Sequence, residues 1–304
     1  MSAVIQCACF VCLLILGVLI KKYTAFGENL LGIVTKLVMW IAMPCAVISG
    51  YSGFRITAAV VPIALLSLGV NLLLVFLGSR MGNTTQERAE NVILFTGFNT
   101  GCFPLAFAQS FFGSGAVAAT CVFDMVNALF CCGGSYAIAS ALYKKDGGSW
   151  VSSLVMSMLR SHIFLIYLLM MALNLARIQL PGPILEITGR IAPCTGYLAM
   201  LMIGLGFDRG FTLSSLKTVL RPVAARLAFS ILLSAAVLVI PGLLTGLKDV
   251  AVLNLLAPFT ILSPIYIQKY GFSTEHASLA ISVSSFVSVL LLSAFSLACL
   301  GLIP

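Results

Sequence analysis

Long apolar runs alternate with short polar turns along the whole chain. The runs lie at about residues 3–20, 30–49, 57–78, 91–112 and 116–142, and then at about 150–174, 185–206, 218–240, 250–268 and 275–302. Most are close to the ~20 residues that a helix needs to cross the hydrocarbon core of a bilayer. The pattern therefore predicts an all-α polytopic membrane protein with about ten transmembrane helices, which we call spans one to ten.

The composition agrees with this class and excludes several others. Of 304 residues, 61% are hydrophobic and 9% are charged, whereas a soluble protein has about a quarter charged residues. No loop is long enough to form a soluble domain. The ten cysteines lie mostly within apolar runs, which favours packing over metal or redox chemistry. We find no phosphate-binding loop, GxSxG or HExxH motif, so we expect neither an enzyme nor a metal site.

The basic residues predict the orientation in the membrane. Loops after odd-numbered spans hold most of them: Lys21, Lys22, Arg80, Arg88, Lys144, Lys145, Arg209, Lys217 and Lys269, with Arg160, Arg221 and Arg226 nearby. The opposite side holds Arg55, Arg177, Arg190 and Lys248. By the positive-inside rule the odd loops are cytoplasmic. We therefore expect a multi-pass protein of the cell (inner) membrane with both termini outside, and cations that determine topology rather than bind nucleic acid.

Five spans on each side of a short linker predict two halves of opposite orientation. The first repeat is residues 1–143, the cytoplasmic linker is 144–149, and the second repeat is 150–304. Prolines interrupt spans two and seven at Pro44 and Pro193, and spans four and nine at Pro104 and Pro264. Interruptions at matching places in inverted repeats are typical of secondary transporters and indicate the substrate site.

The interruptions in spans four and nine predict broken helices that cross near the middle of the membrane. Gly101 and Pro104 weaken the first helix, and irregular backbone in a membrane survives only beside a protein-enclosed cavity. Half-helix N-termini favour a carboxylate or another anion. The predicted substrate-binding residues are Asn99, Thr100, Gly101 and Pro104 in the first break, and Ser263 and Pro264, with Thr260, in the second. A plain proline kink is the alternative.

Asp124 is the acidic residue deepest in a span, and Asn127 shares its helix face. An intramembrane carboxylate is a functional hypothesis by default. Two interpretations stay open: a proton or cation coupling site, or structural support of the crossover. His162 is interpreted as an interfacial residue.

Several of these motifs resemble the auxin efflux carrier family. They are the stretch F-N-T-G-C-F-P-L at 98–105 with Phe112-Gly113, Phe123-Asp124 with Asn127, Leu262-Ser263-Pro264 with Tyr270-Gly271, the stretch E-H-A-S at 275–278, and the run from Leu37 to Pro44. The resemblance implies ten helices in two inverted five-helix repeats, with broken helices four and nine crossing and an elevator-like mechanism. The bile acid sodium symporters are similar in fold. By this match Asn99, Gly101 and Pro104 fall on the first crossover, and Pro264 falls on the second.

The chain looks like a compact bacterial-type member, because the long central loop of many plant carriers is replaced by Tyr143 to Ser149. Bacterial relatives are linked to dicarboxylates such as malate and malonate. This chain shows no obvious basic residue near either break, so a second substrate carboxylate has no evident partner.

The expected function is a secondary active transporter that moves a small organic anion, with a carboxylate favoured, across the cell membrane. A sodium-coupled symporter of a larger amphipathic anion and a non-transporting membrane sensor are the alternatives. The expected partners are the anion and the lipid bilayer. No cofactor is expected apart from a coupling ion, proton or sodium. Substrate, direction and oligomeric state stay open, with a homodimer as one option.

Overall fold

The computed structural model describes residues 2–24, 27–52, 58–143, 155–156, 158–159, 161–207, 213–240, 242, 244 and 246–302. Named helices of the first half are α1 Ser2–Tyr23, α2 Gly27–Leu37, α3 Met43–Ser52, α4 Val61–Arg80, α5 Thr85–Phe95, α6 Pro104–Phe111, α7 Ser114–Leu129 and α8 Ser135–Tyr143. Those of the second half are α9 His162–Leu175, α10 Gly182–Ile191, α11 Cys194–Leu205, α12 Leu213–Val239, α13 Lys248–Leu255, α14 Ser263–Tyr270 and α15 Glu275–Cys299. The linker 144–149, Arg55, Arg160 and Arg209 lie outside the described residues.

Among the residues that the structure describes, six helical stretches are long and apolar enough to cross a membrane. They are Ala3–Tyr23, Asn29–Tyr51, Val61–Arg80, Ser114–Tyr143, Leu216–Val239 and Glu275–Cys299. His162–Leu175 is apolar but shorter. Within the described residues the only β-type pairing is one isolated bridge. The chain therefore has the architecture of a helical membrane protein, as the hydropathy pattern predicts.

Spans four and nine are each divided into two shorter helices. The first break, residues 96–103, separates α5 from α6, and the second break, residues 256–262, separates α13 from α14. Pro104 lies at the start of α6 and Pro264 at the start of α14, where a missing amide hydrogen costs nothing. Span seven is also divided, because α10 ends at Ile191 and α11 begins at Cys194 after Pro193. This division lies at Pro193, where the sequence predicts an interruption.

The polar stretch between the predicted spans 57–78 and 91–112 is partly helical. The α5 helix begins at Thr85, because the Thr84 side chain accepts a hydrogen bond from the Glu87 amide at 3.1 Å. In return, the Asn83 amide donates to the Glu87 carboxylate at 2.7 Å. This reciprocal capping satisfies amides that the first turn would otherwise leave unpaired. The Thr-x-x-Glu spacing carried that signal in the sequence.

Spans two and five contain short π-helical turns, at Val38–Ala42 and Phe130–Gly134. The second turn includes a sharp kink, where Gly133 has φ 121°, a conformation that only glycine adopts easily. The prediction of a regular helix over 116–142 missed this kink, although two adjacent glycines marked it. Residues from both turns line the cavity described below, as π-helical turns often do at functional sites.

Helices α1 and α11 pack closely against each other through two glycines. A Cβ atom on Gly17 would lie 2.5 Å from the Leu201 carbonyl oxygen. A Cβ atom on Gly204 would clash with the Leu14 carbonyl and lie 2.9 Å from the Gly17 Cα. Since lipid offers no hydrophobic drive between helices, small residues that let backbones approach supply much of the association energy. This contact ties the first span to the seventh.

We expect Gly204→Ala to lower the free energy of unfolding by about 2–3 kcal/mol, because the obstructing atoms are backbone and cannot rotate away. Thermal unfolding of the purified protein in detergent measures the effect. Gly69→Ala is the matched control, since its added methyl group would meet no atom within 4 Å in the middle of α4. Equal stability of the two variants would show that α1 and α11 can separate at little cost.

Candidate functional site

The two breaks contact each other directly. The Asn99 amide donates to the Pro258 carbonyl at 3.1 Å, and Phe98 and Phe259 form the isolated antiparallel bridge. The Ser263 hydroxyl, at the start of α14, donates to the Ile93 carbonyl in α5 at 3.1 Å. The irregular backbones of spans four and nine therefore cross and bind one another, which brings the two predicted halves of the site together.

Two buried asparagines satisfy the backbone of the first break. Asn71, in α4, accepts a hydrogen bond from the Gly97 amide at 2.9 Å. Asn127, in α7, accepts from the Phe98 amide at 2.9 Å and donates to the Phe98 carbonyl at 2.8 Å. Unpaired peptide groups in a membrane cost several kcal/mol each, so these side chains replace the helical hydrogen bonds that the break removes. Asn127 was predicted, with Asp124, as a residue for coupling or for support of the crossover; Asn71 was not predicted.

Asp124 is buried and both of its carboxylate oxygens are hydrogen-bonded. Oδ1 accepts from the Asn127 side-chain amide at 3.0 Å, and Oδ2 accepts from the Tyr167 hydroxyl at 2.6 Å. Short hydrogen bonds to a charged acceptor are among the strongest in proteins. Asp124 thus orients Asn127, which in turn holds Phe98. This geometry favours the structural-support interpretation of Asp124 over the coupling interpretation.

A cavity of about 500 Å³ adjoins the crossing point. Its lining includes the predicted residues Asn99, Thr100, Gly101, Asp124 and Asn127. The other lining residues are Thr35, Lys36, Met39, Trp40, Met43, Phe98, Cys102, Ala128, Cys131, Cys132, Ser161, His162, Ile163, Phe164, Tyr167, Thr260, Ile261, Leu262, Ile265 and Tyr266. Mostly apolar walls with a few polar groups are typical of a small-molecule site.

Within the described part of the chain, two polar atoms in this lining have no hydrogen-bond partner. They are the Asn99 side-chain nitrogen and the Thr100 hydroxyl, and their residues are 6% and 0% exposed. A buried unsatisfied donor costs about 1–3 kcal/mol, so it signals either a strained site or a missing ligand. Both atoms belong to the turn that precedes α6, whose N-terminal end carries partial positive charge. Their residues line the cavity, and the Thr100 side chain also lies close to the Asp124 carboxyl group.

Three predicted substrate-binding residues do not line the cavity. Pro104 is buried at the start of α6, and the Ser263 hydroxyl is already bonded to Ile93. Pro264 lines a second cavity of about 270 Å³, which shares Thr35 and Ile261 with the first. These residues shape the two breaks, and Thr260 is the predicted polar residue that the second break contributes to the cavity.

The expectation that no basic residue lies near either break is wrong. Lys36, in α2, is solvent-exposed and lines the cavity. Arg226, counted above among the cations near a cytoplasmic loop, is buried and donates to the Gly97 carbonyl in the first break at 3.3 Å. Neither residue was recognised from the sequence, because only the fold shows which residues of distant spans contact the breaks.

His162 also lies on the cavity rather than at a plain interface. Its ring stacks on Trp40 with centroids 3.9 Å apart and an interplanar angle of 8°. Its Nε2 atom lies 2.8 Å from the Met39 carbonyl oxygen. The stack therefore forms a rigid aromatic wall of the cavity.

Comparison with known proteins adds no family assignment, since no protein-family model and no curated protein matches the chain. Among the described residues there is no group of three or more His, Cys, Asp or Glu side chains that could hold a metal ion.

Proposed function

We propose that the chain is a secondary active transporter that carries a small organic anion, with a carboxylate favoured, across the cell membrane. The observation that carries this proposal is the pair of unpartnered donors on Asn99 and Thr100, which line a cavity where two broken helices cross. Broken helices that meet beside a cavity are the arrangement by which many secondary transporters bind their substrates. The proposal includes ten spans in two inverted repeats, with both termini outside.

The chemistry of the donors supports an anionic substrate. The Asn99 amide and the Thr100 hydroxyl can each donate to a carboxylate oxygen, while the N-terminal end of α6 adds partial positive charge. Lys36 offers a further cation on the cavity wall. The negative charge of Asp124 is engaged by the Tyr167 hydroxyl and by Asn127, which reduces its repulsion of an anion.

The helix contacts support an elevator-like movement. Helices α1–α3 and α9–α11 pack mainly on one another, and so do α4–α8 and α12–α15. The cavity lies between these two groups: Lys36, Met43 and His162 come from the first, and Asn99 and Thr100 come from the second. Since Asn71 and Asn127 fix the first break to α4 and α7, the second group would carry the binding residues as one body.

Uptake by proteoliposomes tests the function. Purified protein should accumulate at least one labelled small carboxylate from a panel of mono- and dicarboxylates, above protein-free liposomes. Proton and sodium gradients are imposed separately. Uptake restricted to larger amphipathic anions and dependent on sodium would support the alternative symporter instead. Binding of an anion without any uptake would support the membrane sensor.

We expect Asp124→Asn to keep the response of uptake to each gradient, because an asparagine oxygen can still accept one of the two hydrogen bonds. The free energy of unfolding should fall by about 1–2 kcal/mol, since hydrogen bonds to a charged group are stronger than neutral ones. Uptake with each gradient imposed alone is the measurement. Loss of the response to one gradient, with binding preserved, would assign Asp124 to coupling. Tyr167→Phe is the matched control, because it removes a donor to Asp124 and leaves the charge.

A further inference from the structure

Arg226 lies behind the crossing of the two breaks. It comes from the middle of α12 and is 2% exposed. One guanidinium nitrogen donates to the Gly97 carbonyl at 3.3 Å. The guanidinium carbon lies 4.0 Å from the centroid of the Phe98 ring and 5.9 Å from that of the Phe259 ring. A single side chain therefore contacts the irregular segments of both spans four and nine.

In the part of the chain that the structure describes, no carboxylate offsets this charge. Among the described residues the one ion pair is the exposed Arg190–Glu186 pair, and no acidic group lies within ion-pair distance of Arg226. Nε and Nη1 have no hydrogen-bond partner. An arginine stays protonated in a protein, so the charge persists despite the cost of burial.

The surroundings that stabilise Arg226 are electron-rich rather than anionic. The faces of two aromatic rings attract a cation, and this attraction grows when the cation is removed from water. The Gly97 carbonyl lies two residues beyond the end of α5, where the helix carries partial negative charge. In transporters built from broken helices, such helix ends and unwound carbonyls are where a coupling sodium ion or proton is held.

We propose that Arg226 is a positioning residue that acts as the built-in cation of the crossover. Its covalently attached charge occupies the place where a soluble cation would otherwise stabilise the helix ends and the exposed carbonyl. Phe98 lines the substrate cavity and Arg226 does not, so the guanidinium orients the break from behind without touching the substrate. The crossover therefore needs no bound metal cation at this position. The consequence for transport rests on the function proposed above, but the consequence for stability does not.

Thermal unfolding in detergent tests the stability arm. The wild type, Arg226→Lys and Arg226→Gln are compared in sodium chloride and in choline chloride at equal ionic strength. The wild type and Arg226→Lys should melt at the same temperature in both salts. Arg226→Gln keeps a hydrogen-bond donor without the charge, so it should melt lower and gain about 2 °C or more from sodium over choline. The exposed Arg221→Gln, on the same helix, is the control and should behave as the wild type.

Uptake by the same variants tests the transport arm. We expect wild-type uptake to change less than about twofold when choline replaces sodium, and Arg226→Gln uptake to fall at least about tenfold in choline and to recover partly in sodium. Arg226→Lys should retain more uptake than Arg226→Gln in choline.

Several results would overturn the proposal. The first is that sodium stabilises the wild type more than choline does. The second is that the melting temperature of Arg226→Gln is the same in both salts. The third is that Arg226→Lys is no more stable and no more active in uptake than Arg226→Gln. If Arg226→Gln does not fold, Arg226→Lys must still fold and melt alike in both salts. Absence of uptake by every variant, together with the expected melting pattern, would refute the transporter function and leave the role of Arg226 standing.

Discussion

Asn127→Leu should lower the free energy of unfolding by about 4 kcal/mol. The side chain is 1% exposed and makes both hydrogen bonds to the Phe98 peptide groups, one through its oxygen and one through its nitrogen. Leucine has the same branched arrangement of side-chain heavy atoms, so it leaves no cavity, but it leaves the Phe98 amide unpaired and the Phe98 carbonyl with only the weak Cys131 thiol donor, whose Sγ atom lies at 3.7 Å. Each unsatisfied group costs about 1–3 kcal/mol, and the Asp124 oxygen loses a donor as well. Chemical denaturation in detergent micelles measures the change.

Asn71→Leu is the matched control for this prediction. Both asparagines are buried and both accept from a peptide amide of the first break, but Asn71 has no bond to a carbonyl of the break. We therefore expect about half the destabilisation, roughly 2 kcal/mol. A loss below about 1 kcal/mol for Asn127→Leu would mean that the break finds other partners, and the account of how it stays open would be wrong.

The positions of the breaks could be predicted from the sequence because their causes are local. Gly101 and Pro104 weaken helix over a few residues, and Pro264 does the same in span nine. Thr84 and Glu87 likewise carried a local capping signal, which the boundary prediction overlooked. Local rules of this kind depend only on neighbours along the chain, so one sequence contains all of the information they need.

The partners of the breaks could not be predicted, because they come from distant spans. Asn71 lies 26 residues before the amide it accepts from, and Arg226 lies 129 residues after the carbonyl to which it donates. Both are polar groups well inside an apolar helix, which was a usable signal for function. Arg226 was instead counted with the cations near a cytoplasmic loop, because its distance from that loop was considered and its depth in the helix was not.

Which residues of each break face the cavity also depends on the fold. Thr260 lies in the second break and Ser263 directly follows that break. The Ser263 hydroxyl donates to Ile93, whereas the Thr260 hydroxyl accepts from the Leu262 amide at 3.3 Å and Thr260 lines the cavity. Which hydroxyl stays available is decided by the crossing of spans four and nine, and not by residue type. The sequence could therefore supply the candidate donors but could not select among them.

The double variant Asn99→Ala with Thr100→Val should lower transport by about 100-fold. Each change removes one donor to the anion, and each donor is worth about 1.4 kcal/mol or more when its acceptor is charged. Uptake by proteoliposomes at low substrate concentration measures the loss, and the single variants should each fall by about tenfold.

The same double variant should be at least as stable as the wild type although its transport falls. This difference distinguishes residues that bind substrate from residues that stabilise the fold. The Asn99 nitrogen and the Thr100 hydroxyl have no hydrogen-bond partner among the described residues, so removing them also removes a desolvation cost. The free energy of unfolding without substrate should therefore be equal or greater. Thr195→Val is the matched control, because Thr195 is equally buried, has an unpartnered hydroxyl and does not line the cavity. It should share the effect on stability and leave transport unchanged. Destabilisation by Thr100→Val together with lost transport would instead indicate a structural role for the hydroxyl.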